Sequence, residues 1–429
     1  MTQKIKTLII GSGGREHAIG WKVLRSTRAG QIYFAPGNAG TAKIGVNVNI
    51  KTTDIEKLIE FAQKEKIDLT LALPDDPLAL GIVDEFQKTG LRIWGPTKVA
   101  SRLEWSKSFS KDFMKRHSLP TARFEIFEDF KIAKGYISRQ QMPVVVKADG
   151  LAFGKGVVIC ETLLQAEKTL EDIMVKKIFG NSGNQVVVEE FLTGPEISIH
   201  ALSDGKNYKI FPTAQDHKRI GEGDMGLNTG GMGVVAPLSF IGNEMLKRIE
   251  EEIIAPTLRA MIDEGTPFEG ILYPSLMLTD SGPKIIEFNA RFGDPEAQTY
   301  MRMLETDILD IFDACIDGRL DELQIKWKAL SACTIVLASG GYPGGYEKGK
   351  LISGVDEAEM QPDIVVFHAG TKMENNTLVT GGGRVLGVSA TGSSLEEALL
   401  KAYRAVEKIS FEGMQYRKDI GKRALEMVK

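Results

Sequence analysis

The 429-residue sequence predicts a multi-domain α/β protein. An N-terminal doubly wound parallel sheet leads into an α+β body, and a small α/β domain closes the chain. Three observations carry this. Buried-strand and amphipathic-helix patterns alternate strictly through residues 1–103. Strands, helices and glycine-rich loops then mix without that rhythm to about residue 325. A strand–helix pattern with its own caps restarts near Ser331. At roughly 150 residues per domain, the length accommodates three.

Thr7–Ile10 reads as a buried strand, Gly13 to Thr27 as a helix and Ile32–Ala35 as the next strand. Asp54–Glu65 is helical, with Ile55, Leu58, Ile59 and Ala62 on one stripe. Leu69–Leu73 is a third strand ended by Pro74, residues 78–88 are helical, and Arg92–Trp94 is a strand. This βαβ rhythm implies a parallel sheet. Gly95-Pro96 breaks it, and a basic helix over 104–117 follows. In the last block, strands are expected at 333–338, 364–368 and 384–390. A helix over 395–409 begins at a Ser394/Glu397 capping box. The domains expected are 1–103, 104–325 and 330–429.

The densest chemistry lies in Glu287-Phe-Asn289-Ala-Arg291-Phe-Gly-Asp294-Pro295-Glu296. Strand side chains alternate, so Glu287 and Asn289 share a face, and Arg291 continues it if the strand persists. Two hard oxygens beside a guanidinium suit a magnesium ion completed by substrate phosphates. Alone, the pair reads first as the solvated face of a strand; the rest of the chain reverses that.

Gly11-Ser-Gly13-Gly14-Arg15-Glu16 sits where a strand turns into a helix, and helix N–H groups bind phosphate. A dinucleotide fingerprint would need glycine at Glu16 and an acid after the second strand, where Pro36-Gly37-Asn38 stands. A phosphate on a small substrate fits better, with Arg15 as partner; a bare tight turn is the alternative. Val144–Ile159 is two strands around a turn containing Gly154, Lys155 and Gly156. Its spacing is not that of a P-loop, but Lys147 and Lys155 suit phosphates in a hairpin that folds over them. A strand ends in Glu189-Glu190-Phe191-Leu192, with Glu196 beyond, an arrangement able to hold an adenine edge and a ribose or simply to end a charged strand. Gln215-Asp216-His217-Lys218-Arg219 leads to Asn228-Thr229-Gly230-Gly231-Met232-Gly233, a loop flexible enough to close over a ligand. His217 has no second histidine near it and reads as neither metal ligand nor base. His117, His200 and His368 read as structural, and His17 is undecided.

Net charge of −4 excludes an electrostatic grip on nucleic acid. No apolar run reaches the roughly 18 residues of a membrane helix. Three scattered cysteines, Cys160, Cys315 and Cys333, form no disulfide framework, which suits a reducing cytoplasm.

Taken in order, these segments, with Ser106-Lys107, Val146–Leu151 and Tyr416–Gly421, resemble the phosphoribosylamine–glycine ligase family of the ATP-grasp superfamily. The resemblance covers nearly the whole chain. It implies a Rossmann-like N-terminal substrate domain, an ATP-grasp body with a nucleotide lid at about 122–190, and a C-terminal domain. It implies the substrates ATP, glycine and 5-phosphoribosylamine, Mg2+ or Mn2+, a cytoplasmic enzyme, and a monomer with a dimer as the alternative. Lys107, Lys147, Gly154, Lys155 and Gly156 would meet the nucleotide, Glu189–Leu192 its adenine and Glu196 its ribose. Glu287 and Asn289 would hold the metal, and Gly11, Gly13, Gly14, Arg15 and Glu16 the ribose phosphate of the amine. Asp216, Lys218, Asn228, Thr229, Gly230, Gly231, Met232, Arg291, Asp294, Pro295 and Glu296 would surround glycine and the amine, with Arg291, Lys147 and Asp216 catalytic. Leu73-Pro74-Asp75, Trp105, Phe153, Leu227 and Pro274-Ser275 depart from the family pattern. Three rivals stand beside this reading: a ligase for another acid–amine pair, a non-catalytic nucleotide binder and a nicotinamide oxidoreductase.

Overall fold

Leu8, Ile9 and Ile10 are all fully buried, which an edge or half-solvated strand would not allow. Their strand, Ile5–Gly11, lies at the centre of a five-stranded parallel sheet in a computed structural model that describes residues 4–150 and 156–427. Ala29–Pro36 and then Val46–Asn47 lie on one side, and Leu69–Ala72 and then Ile93–Trp94 on the other. Strand order therefore reverses at Ile5–Gly11, and the Gly11–Gly14 turn sits at the carboxyl end of the switch point, where open α/β sheets take ligands.

Three expected helices differ in extent. The first spans Gly14–Val23 and stops short of Thr27. Beyond it the Ser26 hydroxyl donates to Asp307, and Arg28 pairs with Asp310 and Asp313 around the helix Ile308–Ile316. The 78–88 segment is two helices, Asp75–Leu80 and Ile82–Lys88, parted at Gly81, whose φ of 92° no helix interior accepts. The 104–117 segment breaks at Ser106, which leaves helical geometry so that its hydroxyl caps Lys107–Arg116 by accepting the Phe109 N–H.

A four-stranded antiparallel sheet follows, in the order Phe124–Phe127, Val186–Glu190, Val144–Ala148, Val157–Cys160. Helices Phe130–Ile137 and Leu163–Leu170 cover it through a separate small core that includes Ala133, Val146, Ala166 and Val188. The body sheet runs Glu196–Ser198, Glu269–Thr279, Ala201–Asp204, Tyr208–Ile210, and Gly282–Asn289 also pairs with Glu269–Thr279.

The last sheet crosses the expected boundary at 325–330. Its order is Gln215–Asp216, Gly233–Ala236, Ser331–Ala338, Arg384–Gly392, Ile364–His368, so two strands of the middle segment belong to it. Val234 and Ala236 face the core that holds Ala297 and Tyr300 of helix Glu296–Met303. Val235 faces the core that holds Ala398 and Ala402 of helix Leu395–Val406. Alternation along one short strand thus presents the sheet to helices on both faces. Ser394 caps the later helix by accepting the Glu397 N–H, but Glu397 returns its bond to Ser393 N–H, one residue before the expected partner.

His17 proves structural. Its Nδ1 accepts the His368 N–H at 2.8 Å, joining the first helix to the last sheet. Burial, with His368 and Lys43 nearby, lowers its pKa to about 3; burial also lowers His217 and His368 to about 4. The folded values lie below the unfolded one, so the unfolded chain takes up protons that the native chain refuses. Their contribution is present above about pH 6.5 and is lost as pH falls. His17→Asn keeps an acceptor near Nδ1 without a titrating ring. It should lower the slope of unfolding free energy against pH by about one proton between about pH 6 and 4. Urea unfolding across that range checks this, and an unchanged slope would mean that His17 protonates within the fold.

Candidate active site

Strand Gly282–Asn289 forms the floor of the site. Its register against Glu269–Thr279 runs Asn289 to Tyr273 and Glu287 to Ser275, then Ile285 to Leu276, so Ile286 is bulged out. The freed Ile286 carbonyl accepts the Lys147 ammonium at 3.0 Å. Glu287 keeps a third of its side chain exposed and lies 3.9 Å from Lys218 Nζ. Burial alone would raise its carboxyl, but Lys218, Lys147, Lys107 and Arg291 outweigh that and hold it below the usual range. The strand ends at Asn289, so Arg291 lies in a bend beyond it and does not continue the face by alternation, yet its Nη2 donates to Asn289 Oδ1 at 3.1 Å. The same nitrogen pairs with Glu104 at 2.8 Å, and Glu104 also accepts the Ala290 N–H.

Lys147 and Lys111 both lie against the Glu189 carboxylate, at 2.9 and 3.1 Å, and all three side chains are at least 96% buried. Any part Glu189 plays in an adenine hinge therefore falls to its backbone, not its carboxylate. The carboxylate faces inward between two ammonium groups, and only Glu190, Phe191 and Leu192 run along the strand's open end. Glu190 itself is paired with Arg123 and Lys284. Lys107 Nζ donates to the Gly150 carbonyl at 3.1 Å, where the hairpin turn begins. Asp149 accepts from Ser106 and from the Ser108 N–H, which seats that hairpin on the start of helix Lys107–Arg116. Gly156 follows on the far side; Gly154 and Lys155, like Phe153, lie outside the described residues.

A second half of the site is acidic. Lys218 Nζ lies 3.3 Å from both Glu196 and Ser275 Oγ. Burial would lower its pKa, but Tyr273, Glu196, Glu287 and Asp216 raise it well above the ordinary lysine value. Asp216 Oδ1 is buried and has no hydrogen-bond partner among the described residues. Burial, then Glu296 and Glu196, push its carboxyl well up against the pull of Lys218 and Arg384. Gly231 has a φ of 111°, and a Cβ there would come within 2.6 Å of Asp216 Oδ1 and of Pro295 Cδ, so only glycine fits. Glu296 accepts the Tyr273 hydroxyl at 2.6 Å and the Ser198 hydroxyl at 3.0 Å.

The loop expected to be loose is held. Thr229 bonds twice to the Lys218 carbonyl, Gly231 N–H donates to Thr229 Oγ1, and Met232 N–H donates to the His217 carbonyl. Asn228 is paired with Arg219 at the base of a two-stranded hairpin. At the N-terminal turn, Glu16 takes the place foreseen for phosphate: its Oε2 accepts the Gly13 N–H at 2.6 Å. Arg15 pairs with Glu16 Oε1 and donates to the Phe292 carbonyl, while its N–H faces Asp294. Glycine at 11 is required by this side chain, because a Cβ there would lie 2.5 Å from Glu16 Cγ. Gly14 abuts Gln298, which donates to Asp294. A phosphate at this turn has to displace Glu16 from the Gly13 N–H.

Three consecutive segments match the phosphoribosylglycinamide synthetase family: its N domain over residues 5–104, its ATP-grasp (A) domain over 105–297 and its C domain over 332–423. The phosphoribosylamine–glycine ligase of Vibrio parahaemolyticus is 48% identical over 425 residues, covering 98% of this chain and 99% of its own. The chain belongs to the phosphoribosylamine–glycine ligase family. The crystal structure of the Thermotoga maritima phosphoribosylamine–glycine ligase superposes with a TM-score of 0.85 at 36% identity, over 97% of this chain and all of that one. The biotin carboxylase domain of Hydrogenobacter thermophilus 2-oxoglutarate carboxylase, 18% identical, has a TM-score of 0.73 over 100% of this chain and 95% of its own, and shares the fold. Members of the family are ATP-dependent ligases acting on small molecules, and they use ATP with a divalent metal.

Within this family site, sequence reasoning missed Glu104, Lys111, Tyr273 and Arg384. Glu104 and Lys111 lie in the segment read as a plain basic helix, and its serine break was the available signal. Asp75, noted only as a departure, bears on Arg291 and Glu104 electrostatically. No helix among the described residues is long and apolar enough to cross a membrane.

Glu287→Ala removes an open carboxylate that four cationic groups keep charged. Turnover should fall about 10²-fold or more, with most of the apparent Mg2+ affinity lost in the presence of ATP. A metal titration of initial rates checks this, and near-normal turnover at limiting Mg2+ would reject the assignment.

Proposed function

We infer that the chain catalyses the reaction its family is named for. ATP activates the glycine carboxylate as glycyl phosphate, and the amine of 5-phosphoribosylamine displaces phosphate, giving glycinamide ribonucleotide, ADP and phosphate. This is a step of de novo purine synthesis. The observation that carries the reading is the meeting of two unlike half-sites along one strand. Glu287, Asn289 and Arg291 lie between the lysines of the nucleotide lid and the acids around Asp216.

Phosphoryl transfer asks for position and charge neutralisation more than covalent help. Lys147 and Lys107 are assigned to the nucleotide phosphates, Glu189–Leu192 to the adenine and Glu196 to the ribose. Glu287 and Asn289 are two hard oxygens on one face; the Glu287 side chain is a third exposed, and with Asn289 Oδ1 released from Arg291 the pair would suit Mg2+ or Mn2+ completed by phosphate oxygens. Such a cation, when bound with the nucleotide, would offset charge on the transferred phosphoryl group. Arg291, held by Glu104, is aimed at the same place and suits the glycine carboxylate. Asp216 has no cation of its own, and an arriving ammonium group would draw its carboxyl back toward the charged form, so it is assigned to the amine of glycine. Gly11–Glu16 with Asp294 and Pro295 is assigned to the ribose phosphate end of the amine substrate. A monomeric enzyme of the reducing cytoplasm is consistent with the buried free thiols of Cys160, Cys315 and Cys333.

ADP release with Mg-ATP, glycine and freshly generated 5-phosphoribosylamine, omitting each in turn, tests the reading. Release of glycinamide ribonucleotide that needs all three is the expected result. No release despite ATP binding would point to another acid–amine pair. Asp216→Asn should raise the KM for glycine by about tenfold or more, the scale of a lost charge-assisted bond, and leave the KM for ATP near wild type. An equal rise in both would remove Asp216 from the glycine site.

A further inference from the structure

The C-terminal domain carries no residue yet given a part in the reaction, although it reaches the site. The turn Gly381–Gly383 joins strands Thr377–Thr380 and Arg384–Gly392. Its shape is dictated by Tyr342: a Cβ at Gly383 would collide with the Tyr342 ring. With that ring seated, the Tyr342 hydroxyl accepts the Gly230 N–H at 3.0 Å. The next residue, Arg384, sends its guanidinium between two loops of the site. Nη1 donates to the carbonyls of Gly230 and Asp294, both at 2.6 Å, with the Gly231 carbonyl at 3.4 Å. Nη2 lies 3.4 Å from Asp294 Oδ1. A Cβ at Gly230 would stand 2.9 Å from Arg384 Cζ, so glycine there is what lets the guanidinium approach.

The far end of the same segment is fastened by the same domain. Arg417 donates to Asp224, Asp419 accepts the Gly223 N–H, and Gly421 N–H donates to His217 Nε2. The residues from Gly223 to Gly231 are thus tied at both ends to the C-terminal domain. Arg384 joins the Gly230–Gly231 turn to the Asp294 loop by hydrogen bonds, beside the direct packing of Gly231 on Pro295, with a planar fork that lysine cannot reproduce.

We propose that Arg384, oriented with Tyr342 by the Gly381–Gly383 turn, is a positioning residue that holds the Gly230–Gly231 turn and the Asp294 loop together beside Asp216 and so keeps water from the glycyl phosphate assigned there. The proposal rests on the ligase reading above. If the two loops part, water adds its oxygen to the acyl carbon of glycyl phosphate. The carbon–oxygen bond to phosphate breaks, phosphate leaves, glycine regains its carboxylate and one proton is released. ATP is then consumed without ligation.

The test is the ratio of ADP to glycinamide ribonucleotide formed by wild type, Arg384→Lys, Arg384→Met and Tyr342→Phe, with Tm measured for each. Wild type should give a ratio near one. Arg384→Met should raise it severalfold and lower kcat/KM for the amine by about 10²-fold, the scale of an ångström-sized misplacement. Arg384→Lys should fall between, and the KM for ATP should stay near wild type in all. Tyr342→Phe removes one hydroxyl and keeps the ring, so it decides the matter if the arginine variants do not fold; its ratio should also exceed one. Folded variants that stay coupled beside a productive wild type would overturn this inference alone. A wild type that makes no glycinamide ribonucleotide would overturn the functional reading and this inference together.

Discussion

The ion triad of Lys111, Glu189 and Lys147 is the joint on which the nucleotide half of the site depends. One carboxylate sits between two ammonium groups in a place almost without water. Removing one partner from such a cluster leaves a buried charge uncompensated, at a cost of several kcal/mol, so the arrangement is held rather than sampled. Its members come from helix Lys107–Arg116 and from the lid strands Val144–Ala148 and Val186–Glu190. Lys147 then reaches the bulged Ile286 carbonyl, which ties the lid to the strand that carries Glu287. Lys147 is in this way fixed from two sides, the kind of preorganisation on which electrostatic catalysis relies.

The substrate half depends on a different joint. Because Gln215–Asp216 and Gly233–Ala236 are strands of the C-terminal sheet, the loop between them cannot move independently of that domain. Asp216 and His217 leave the sheet directly into the site, and His217 is fixed by bonds to Gly233 and Gly421 at its two ring nitrogens. The C-terminal part of the chain is therefore continuous with the wall of the acidic pocket, although its residues are remote from it in sequence.

What the sequence made legible follows from periodicity. Glu287 and Asn289 share a face because a strand alternates, and the bulge at Ile286 lies on the other side of Glu287 and leaves that alternation intact; Arg291, past the strand end, meets them through its bond to Asn289. The switch-point turn at Gly11 was legible for the same reason, as a buried run stopping at glycine. Burial of charge was not legible. Glu189 and Glu190 are neighbours of one type, yet one is enclosed by lysines and the other lies at the open end, a difference set by residues from other elements. Arg384 was hidden more completely, because its partners are backbone carbonyls at Gly230, Gly231 and Asp294, and a carbonyl leaves no mark on the sequence. The glycine loop carries a constraint its composition did not show: Gly230 and Gly231 are needed for close approach to Arg384 and Asp216.

Charge balance joins the two halves. Burial acts in opposite directions on an acid and a base, lowering a lysine and raising a carboxyl. Lys218 resists because Glu196, Glu287 and Asp216 surround it; Asp216 yields because Glu296 and Glu196 stand beside it and Lys218 is shared. Carboxyls thus outnumber the cation at their centre. The surplus lies where a positively charged amine is assigned, and an arriving ammonium group would relieve the repulsion of Asp216 by Glu296 and Glu196. Arg291 and Arg384 offset only part of that surplus, since each also has a carboxylate partner of its own, Glu104 and Asp294. The site is in this sense built short of positive charge, and its ligands supply the remainder.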